Sequence, residues 1–158
     1  MNIRLFLSCL FGILVSNTVG YLSSFATRSS VSTWYKFLNK PFFNPPDWIF
    51  MPVWIILYFL MGIAFGIFFS YSFEKNTQRL GIIAFVLQLF FNGMWSFVFF
   101  GLKNILLGLV MILILIVSII FCITEFRKVN IFSFYLMLPY LFWVCFASIL
   151  NISLFMMN

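Results

Sequence analysis

The chain has 158 residues, of which 65% are hydrophobic and only 8% are charged. A soluble domain of this size needs far more charge to cover its surface, so the composition indicates that the bilayer is the solvent. The net charge is +6, but the nine basic residues are scattered between apolar runs, which is typical of interfacial anchoring and argues against nucleic-acid binding.

Five apolar segments are long enough to cross a bilayer as helices, which takes roughly 20 residues. They are Ile3–Phe25, Pro45–Tyr71, Leu80–Phe100, Ile105–Thr124 and Ile131–Phe155. Because the links between them are short, we expect successive spans to be antiparallel neighbours in one bundle. The sequence therefore predicts an all-α, integral, multi-pass membrane protein, with a bundle of five transmembrane helices forming a single domain over residues 1–158.

Small residues mark the predicted contact between the first two helices. The second segment carries a GxxxG motif at Gly62 and Gly66, and the first segment has a small residue at every fourth position. That stripe consists of Ser8, Gly12, Ser16, Gly20 and Ser24. Small side chains let helix backbones approach closely in lipid, so we expect the first helix to pack through this stripe.

The loop between these two segments, Ala26–Phe43, is rich in aromatic residues and lysine. Tryptophan and tyrosine favour the membrane interface, so we expect the loop to cover one end of the bundle, with Trp34 and Tyr35 facing inward or into the headgroup layer. The next helix is predicted to start with Asn44 as its cap and Pro45 at its first position, while Asp47 places negative charge in the first turn.

Three of the five spans carry aromatic and amide side chains at helical spacing. These are Trp54, Tyr58 and Phe65 on the second span, Gln88, Asn92, Trp95 and Phe99 on the third, and Trp143, Ala147 and Asn151 on the fifth, with Tyr140 near that face. If the stripes converge, they form a pocket for a planar apolar ligand. The alternative is that the amides only tie helices together and the aromatics are ordinary core. The fourth span is aliphatic and is expected to serve packing and lipid contact.

Three motif blocks resemble one known family. They are W-Y-x-x-L-x-K-P-x-F-N-P-P-x-W followed by V-W-x-x-L-Y within Trp34–Gly66, L-Q-L-x-x-N-x-x-W-S-x-x-F-F over Leu87–Phe100, and L-P-Y-L-x-W-V-x-F-A-x-x-L-N over Leu138–Asn151. In this order they resemble the TspO/MBR family of tryptophan-rich sensory proteins and the mitochondrial translocator protein. The resemblance implies five helices that enclose a pocket beneath the first loop, which in the family binds tetrapyrroles such as protoporphyrin IX and, in eukaryotic members, cholesterol and synthetic ligands.

The resemblance also assigns residues to that pocket. By motif position Trp54, Asn92, Trp143 and Ala147 match family pocket positions, and Trp34 lies in the covering loop. Together with the stripes above, the predicted ligand-binding set is Trp34, Trp54, Tyr58, Gln88, Asn92, Trp95, Trp143 and Ala147. The tail departs from the cholesterol-associated motif of animal members, because Ile152 stands where its tyrosine would be and no basic residue follows. A bacterial-type porphyrin binder is therefore expected rather than a sterol binder.

The expected function is that of a membrane sensor or regulatory protein that binds a porphyrin. The alternatives are light-dependent porphyrin degradation, with pocket tryptophans involved, and facilitative transport of tetrapyrroles or other apolar ligands. Neither catalytic residues nor a metal site is expected, because histidine is absent and Asp47, Glu74 and Glu125 map to span ends. Protoporphyrin IX is expected as a ligand rather than an obligatory cofactor. The expected partners are membrane lipid and the tetrapyrrole, and a homodimer is compatible with such a bundle.

Overall fold

The computed structural model describes residues 3–158, so residues 1 and 2 of the predicted domain lie outside the described part. Five helices follow one another: α1 (Ile3–Val31), α2 (Asp47–Tyr71), α3 (Lys75–Ser96, continued by a π-helical segment, Phe97–Gly101), α4 (Ile105–Val129) and α5 (Ile131–Met157). All five are long and apolar enough to cross a membrane, and residues 3–158 contain no strand. The predicted all-α bundle of five membrane-spanning helices is confirmed.

The helices are arranged around the bundle in the order α1, α2, α5, α4, α3. Successive helices pack side by side with one exception, since the backbones of α2 and α3 scarcely approach each other. The expectation that all successive spans are neighbours was therefore wrong at this pair. The small-residue stripe of α1 occupies the side of α2 that α3 would need, so α2 and α3 face each other across the bundle centre and touch through long side chains.

The α1–α2 contact is a glycine contact, as the small-residue spacing predicted. A methyl group placed on Gly12 would clash with the carbonyl oxygen of Gly62, and one placed on Gly66 would clash with the backbone of Cys9. Gly20 leaves room for the ring of Tyr58 instead of a backbone. Close approach of the backbones, rather than side-chain interdigitation, thus holds this pair together, as is common in lipid.

Several helices extend beyond the predicted spans. α1 continues to Val31 instead of ending near Phe25, so the first third of the predicted loop is helical. Its polar residues do not interrupt the helix, because hydroxyl groups such as those of Ser24 and Ser29 donate to carbonyls three residues back. Thr27 also binds the Ser96 hydroxyl of α3 at 2.9 Å. The polar residues after Phe25 therefore do not end the helix.

The start of α2 also differs from the prediction. The helix begins at Asp47, after Pro46, and no side chain caps it. Asn44 is not its cap and Pro45 is not its first residue, because the Asn44 amide is used elsewhere: its Oδ1 accepts from the Tyr35 hydroxyl at 2.8 Å. Asp47 does place negative charge in the first turn, as predicted.

The half of the bundle away from the loop is filled by stacked phenylalanine rings. Phe65 stacks on Phe85 with ring centroids 4.4 Å apart, and Phe68 stacks on Phe126 at 4.5 Å. Gly81 of α3 leaves the space that the Phe68 ring fills. The centre of this half of the bundle is therefore filled by side chains.

Candidate functional site

The loop between α1 and α2, residues 32–46, folds over one end of the bundle and is called the lid here. Tyr35, in a short 3-10 turn, is only 4% exposed, and Lys40 lies over its ring at 4.2 Å. Lys40 also pairs with Asp47 at 3.8 Å. Burial, together with the negative charge of Asp47, raises the pKa of Tyr35 to about 12, although its hydrogen bond to Asn44 opposes the shift. The lid therefore has a defined structure anchored on one buried tyrosine.

The lid rests on two phenylalanine rings of the π-helical segment. Trp34 meets Phe99 edge-on with ring centroids 5.6 Å apart, and Tyr35 contacts Phe100 at the same separation. The wider turn of a π-helix is a frequent feature of functional sites. Here it ends α3 with two successive buried aromatic residues, Phe99 and Phe100, which form the floor beneath the lid.

A pair of asparagines joins the lid to the end of α5, and we call it the Asn39–Asn158 clasp. The backbone N–H of Asn39 donates to Asn158 Oδ1 at 2.9 Å, and Asn158 Nδ2 donates to the Asn39 carbonyl at 3.0 Å. Asn39 Nδ2 also donates to the Met157 carbonyl at 3.3 Å. These exposed hydrogen bonds tie the middle of the lid to the fifth helix.

Four aromatic side chains from α2, α3 and α5 meet beneath the lid, and we call them the aromatic chamber: Trp54, Tyr58, Trp95 and Tyr140. The Trp54 ring lies 5.6 Å from Tyr58, 6.2 Å from Trp95 and 6.3 Å from Tyr140. Such separations are those of favourable aromatic pairs. Trp54 is therefore the residue that links the three helices.

A buried hydrogen-bond chain runs below the aromatic rings. The Tyr58 hydroxyl donates to Asn92 Oδ1, and Asn92 Nδ2 donates to the Tyr140 hydroxyl at 3.0 Å. Asn92 is 2% exposed and Tyr140 is fully buried, so these buried polar groups satisfy one another. Both polar atoms of the Asn92 side chain are thus used in hydrogen bonds that join α2, α3 and α5.

A second amide performs a similar role nearer the lid. Trp95 Nε1 donates to Asn151 Oδ1 at 3.4 Å, and Asn151 Nδ2 donates to the Ile105 carbonyl at 2.9 Å, at the first turn of α4. Asn151 therefore fixes the plane of the Trp95 indole and joins α3, α4 and α5.

A small cavity of about 30 Å³ separates the lid from the chamber. Its walls include Tyr35, Phe50, Trp95, Phe99, Ala147 and Asn151. This volume holds about one or two water molecules, whereas pockets for drug-sized ligands measure about 300–1,000 Å³. The lid is therefore closed, and a large planar ligand requires it to move.

The structure brings six of the eight predicted site residues to this region. Trp54, Tyr58, Asn92 and Trp95 are linked directly, Ala147 lines the cavity with Trp95, and Trp34 reaches Phe99 from the lid. These placements come from the contacts described above.

Trp143 and Gln88 lie apart from that group. Trp143 contacts Phe50, a cavity wall, at 6.0 Å, and its buried Nε1 has no hydrogen-bond partner within residues 3–158. Gln88 lies one helical turn from Asn92 and is fully buried, and neither atom of its amide has a partner in the described part of the chain. Trp143 therefore borders the cavity through Phe50, whereas Gln88 lies deeper in the bundle.

Six residues that the structure brings to this region are absent from the predicted ligand-binding set: Tyr35, Phe50, Phe99, Phe100, Tyr140 and Asn151. Asn151 and Tyr140 were noted on the relevant face of α5, and their spacing with Ala147 at i, i+7 and i+11 was a usable signal. Phe50 had no such signal, because it lies in the first turn of α2 among many other phenylalanines. Its position depends on where the lid folds.

Comparisons with known proteins agree with the motif resemblance. The TspO/MBR family profile matches residues 12–157. The chain is 40% identical over 158 residues to the tryptophan-rich protein TspO of Archaeoglobus fulgidus, covering 100% of this chain and 99% of that protein. It is 34% identical to the tryptophan-rich sensory protein of Cereibacter sphaeroides, covering 79% and 77%. It is also 32% identical to the human translocator protein, covering 75% of this chain and 70% of that protein.

Proposed function

Since the chain belongs to the TspO/MBR family and is an integral, multi-pass membrane protein, we propose that it binds a planar tetrapyrrole such as protoporphyrin IX beneath its first loop. In this proposal the ligand lies between the lid and the aromatic chamber. The protein then acts as a sensor or regulator whose lid responds to the ligand. Sterol binding is not proposed, because the tail lacks the tyrosine and the basic residue of the cholesterol-associated motif.

The observation that carries the proposal is the aromatic chamber directly beneath the lid. Trp54 and Trp95 present two indole rings 6.2 Å apart, and Phe99 stacks on Trp95 at 5.8 Å. Flat rings of this kind favour a flat conjugated ligand, because offset stacking adds to the burial of apolar surface. The side-chain amide of Asn151 supplies a polar group in the wall of the cavity.

Ligand entry requires the lid to leave the floor formed by Phe99 and Phe100, because the closed cavity measures only about 30 Å³. The contacts that have to separate include the Asn39–Asn158 clasp, which is exposed, and the packing of Tyr35, which is buried. An exposed clasp and a buried tyrosine ring together fit a lid that opens while the helices remain folded.

The test is a titration of purified protein with protoporphyrin IX, followed by porphyrin absorbance so that tryptophan variants are compared on the same signal. Trp54→Ala and Trp95→Ala remove one stacking wall each. If each wall contributes about 1.4 kcal/mol, each variant binds about tenfold more weakly. Leu113→Ala, on the exposed outer face of α4, is the matched control and should bind as the wild type does. Equal losses in all three variants would mean general destabilisation and would remove the pocket assignment.

Binding, degradation and transport are separated by the conditions of the assay. A titration in the dark without oxygen measures binding alone, and illumination in air then measures any light-dependent loss of porphyrin. Flux of porphyrin into vesicles that contain the protein measures transport. Binding in the dark that is saturable and sensitive to Trp95→Ala supports the proposed function, whichever of the other activities accompanies it.

A further inference from the structure

A polar cleft of about 440 Å³ opens at the end of the bundle opposite the lid. It lies where α2 ends, α3 begins and α4 ends. Its walls are formed by Tyr71, Ser72, Phe73, Glu74, Thr77 and Lys128, with Val129 beside them. None of these residues belongs to the aromatic chamber, so the cleft is independent of the function proposed above.

Ser72 points to a ligand in this cleft. The residue is only 3% exposed, and its hydroxyl oxygen has no hydrogen-bond partner within residues 3–158. Its backbone is fully used, because its N–H donates to the Phe68 carbonyl at 3.0 Å and its own carbonyl accepts from Gln78 Nε2 at 3.2 Å. A buried hydroxyl left without a partner is unfavourable, so a hydrogen-bonding group in the cleft would stabilise it.

The cleft also carries charges of both signs. The Thr77 hydroxyl donates to the Glu74 carboxylate, which holds that negative charge at the start of α3. Lys128 supplies positive charge and is bound at 2.6 Å to Glu125, whose other carboxylate oxygen is buried without a partner in the described chain. A ligand that carries both an ammonium and an anionic group matches this arrangement.

The rim places the cleft at the membrane interface. Tyr71 is 47% exposed and Phe73 is 78% exposed, at the point where the apolar α2 gives way to polar residues. The Arg4 guanidinium lies over the Phe73 ring, 5.3 Å from its centroid. Exposed aromatic rings beside basic side chains are the usual anchors at the level of lipid headgroups.

We propose that this cleft binds the headgroup of a zwitterionic phospholipid that carries a primary ammonium, as in phosphatidylethanolamine. The ammonium donates to the Ser72 hydroxyl and the Glu74 carboxylate, and the phosphate lies toward Lys128. The acyl chains then run beside Tyr71 and Phe73. A choline headgroup has the same charges but no N–H donor, so it leaves the Ser72 hydroxyl without the partner that an ammonium provides.

The experiment is native mass spectrometry of the purified full chain in detergent, after exchange with phosphatidylethanolamine or with phosphatidylcholine of the same acyl chains. We expect the wild type to retain one phosphatidylethanolamine at least about tenfold more tightly than the choline lipid, which corresponds to about 1.4 kcal/mol. Ser72→Ala and Glu74→Gln should abolish this preference, whereas Lys128→Gln should weaken retention of both lipids. Lys36→Gln, which removes a charge from the exposed lid, is the control and should change nothing.

Equal retention of the two lipids by the wild type would overturn the proposal, as would an undiminished preference in Glu74→Gln. Glu74 is exposed, so its variant gives an interpretable result even if Ser72→Ala fails to fold. Soluble phosphoethanolamine is added in a separate arm. Displacement of the lipid at equal concentration would assign the cleft to a free phosphoester and would overturn its assignment to a lipid.

Discussion

Replacing Asn92 by leucine tests the hydrogen-bond chain at the centre of the bundle. Asn92 accepts from the Tyr58 hydroxyl and donates to the Tyr140 hydroxyl at 3.0 Å, and both tyrosines are buried. Leucine has a similar volume and no polar group. The substitution therefore removes two hydrogen bonds and leaves two tyrosine hydroxyl groups without their partner, while the packing changes little.

The expected loss in the free energy of unfolding follows from the number of hydroxyl groups that are left without a hydrogen-bond partner. A buried polar group left unsatisfied costs about 1–3 kcal/mol in soluble proteins, but hydrogen bonds between membrane helices average about 0.6 kcal/mol and reach about 1.7. Two such bonds place the loss for Asn92→Leu at about 1–3 kcal/mol. In a background of Tyr58→Phe and Tyr140→Phe, Asn92 is itself the orphan, so its replacement by leucine should be neutral or stabilising.

The measurement is a double-mutant cycle on the free energy of unfolding in detergent, with Leu113→Ala as a surface control. An equal loss from Asn92→Leu in both backgrounds would refute the hydrogen-bond explanation and would point to shape. Protoporphyrin affinity, measured on the same variants, answers a second question. An affinity loss that persists in the doubly substituted background would place Asn92 in contact with the ligand.

Three further outcomes are expected. Gly12→Leu should lower the melting temperature in detergent, since any side chain there meets the carbonyl of Gly62, and an unchanged value would contradict the close helix contact. Because the pKa of Tyr35 is raised to about 12, its stabilisation of the lid is complete below about pH 10 and is lost as the pH rises toward 12; Tyr35→Phe should remove one late-titrating component from the tyrosinate absorbance. Asn158→Ala should raise the association rate of protoporphyrin several-fold in stopped-flow measurements, because it removes both side-chain hydrogen bonds to the Asn39 backbone, and an unchanged rate would exclude the clasp as a barrier to entry.

The five helices were predictable because bilayer thickness imposes a length on every apolar run. The contact of α1 with α2 was predictable as well, since glycine spacing at Gly12 and Gly62 has few other uses in lipid. The ends of the helices were not predictable, because the hydroxyl groups of Ser29 and its neighbours can donate to carbonyls within a helix as readily as to carbonyls in a loop. The separation of α2 from α3 depends on which helix occupies a shared face, and no local pattern in the sequence encodes that choice.

The candidate site, too, was predictable from the sequence only in part. Helical spacing placed Asn92 and Trp95 on one face, and the structure joins that face to Trp54 and Tyr58. The lid could not be predicted in the same way, because its position depends on contacts between distant residues. The hydrogen bond that the Tyr35 hydroxyl donates to Asn44 Oδ1 is an example, since an asparagine before two prolines is locally a good helix cap.

The closed lid sets a limit on how tightly the proposed ligand binds. Each exposed hydrogen bond of the clasp contributes about 0.5–1.5 kcal/mol, so breaking the three bonds between Asn39 and the end of α5 costs a few kcal/mol before Tyr35 moves. If opening costs about 2.8 kcal/mol, roughly one molecule in a hundred is open, and the apparent affinity falls by the same factor. The contacts that keep the lid closed are therefore the contacts that slow and weaken ligand entry. A ligand that stacks on Trp54 and Trp95 strongly enough to offset this cost is then held behind the lid, and its release is as slow as the lid's reopening.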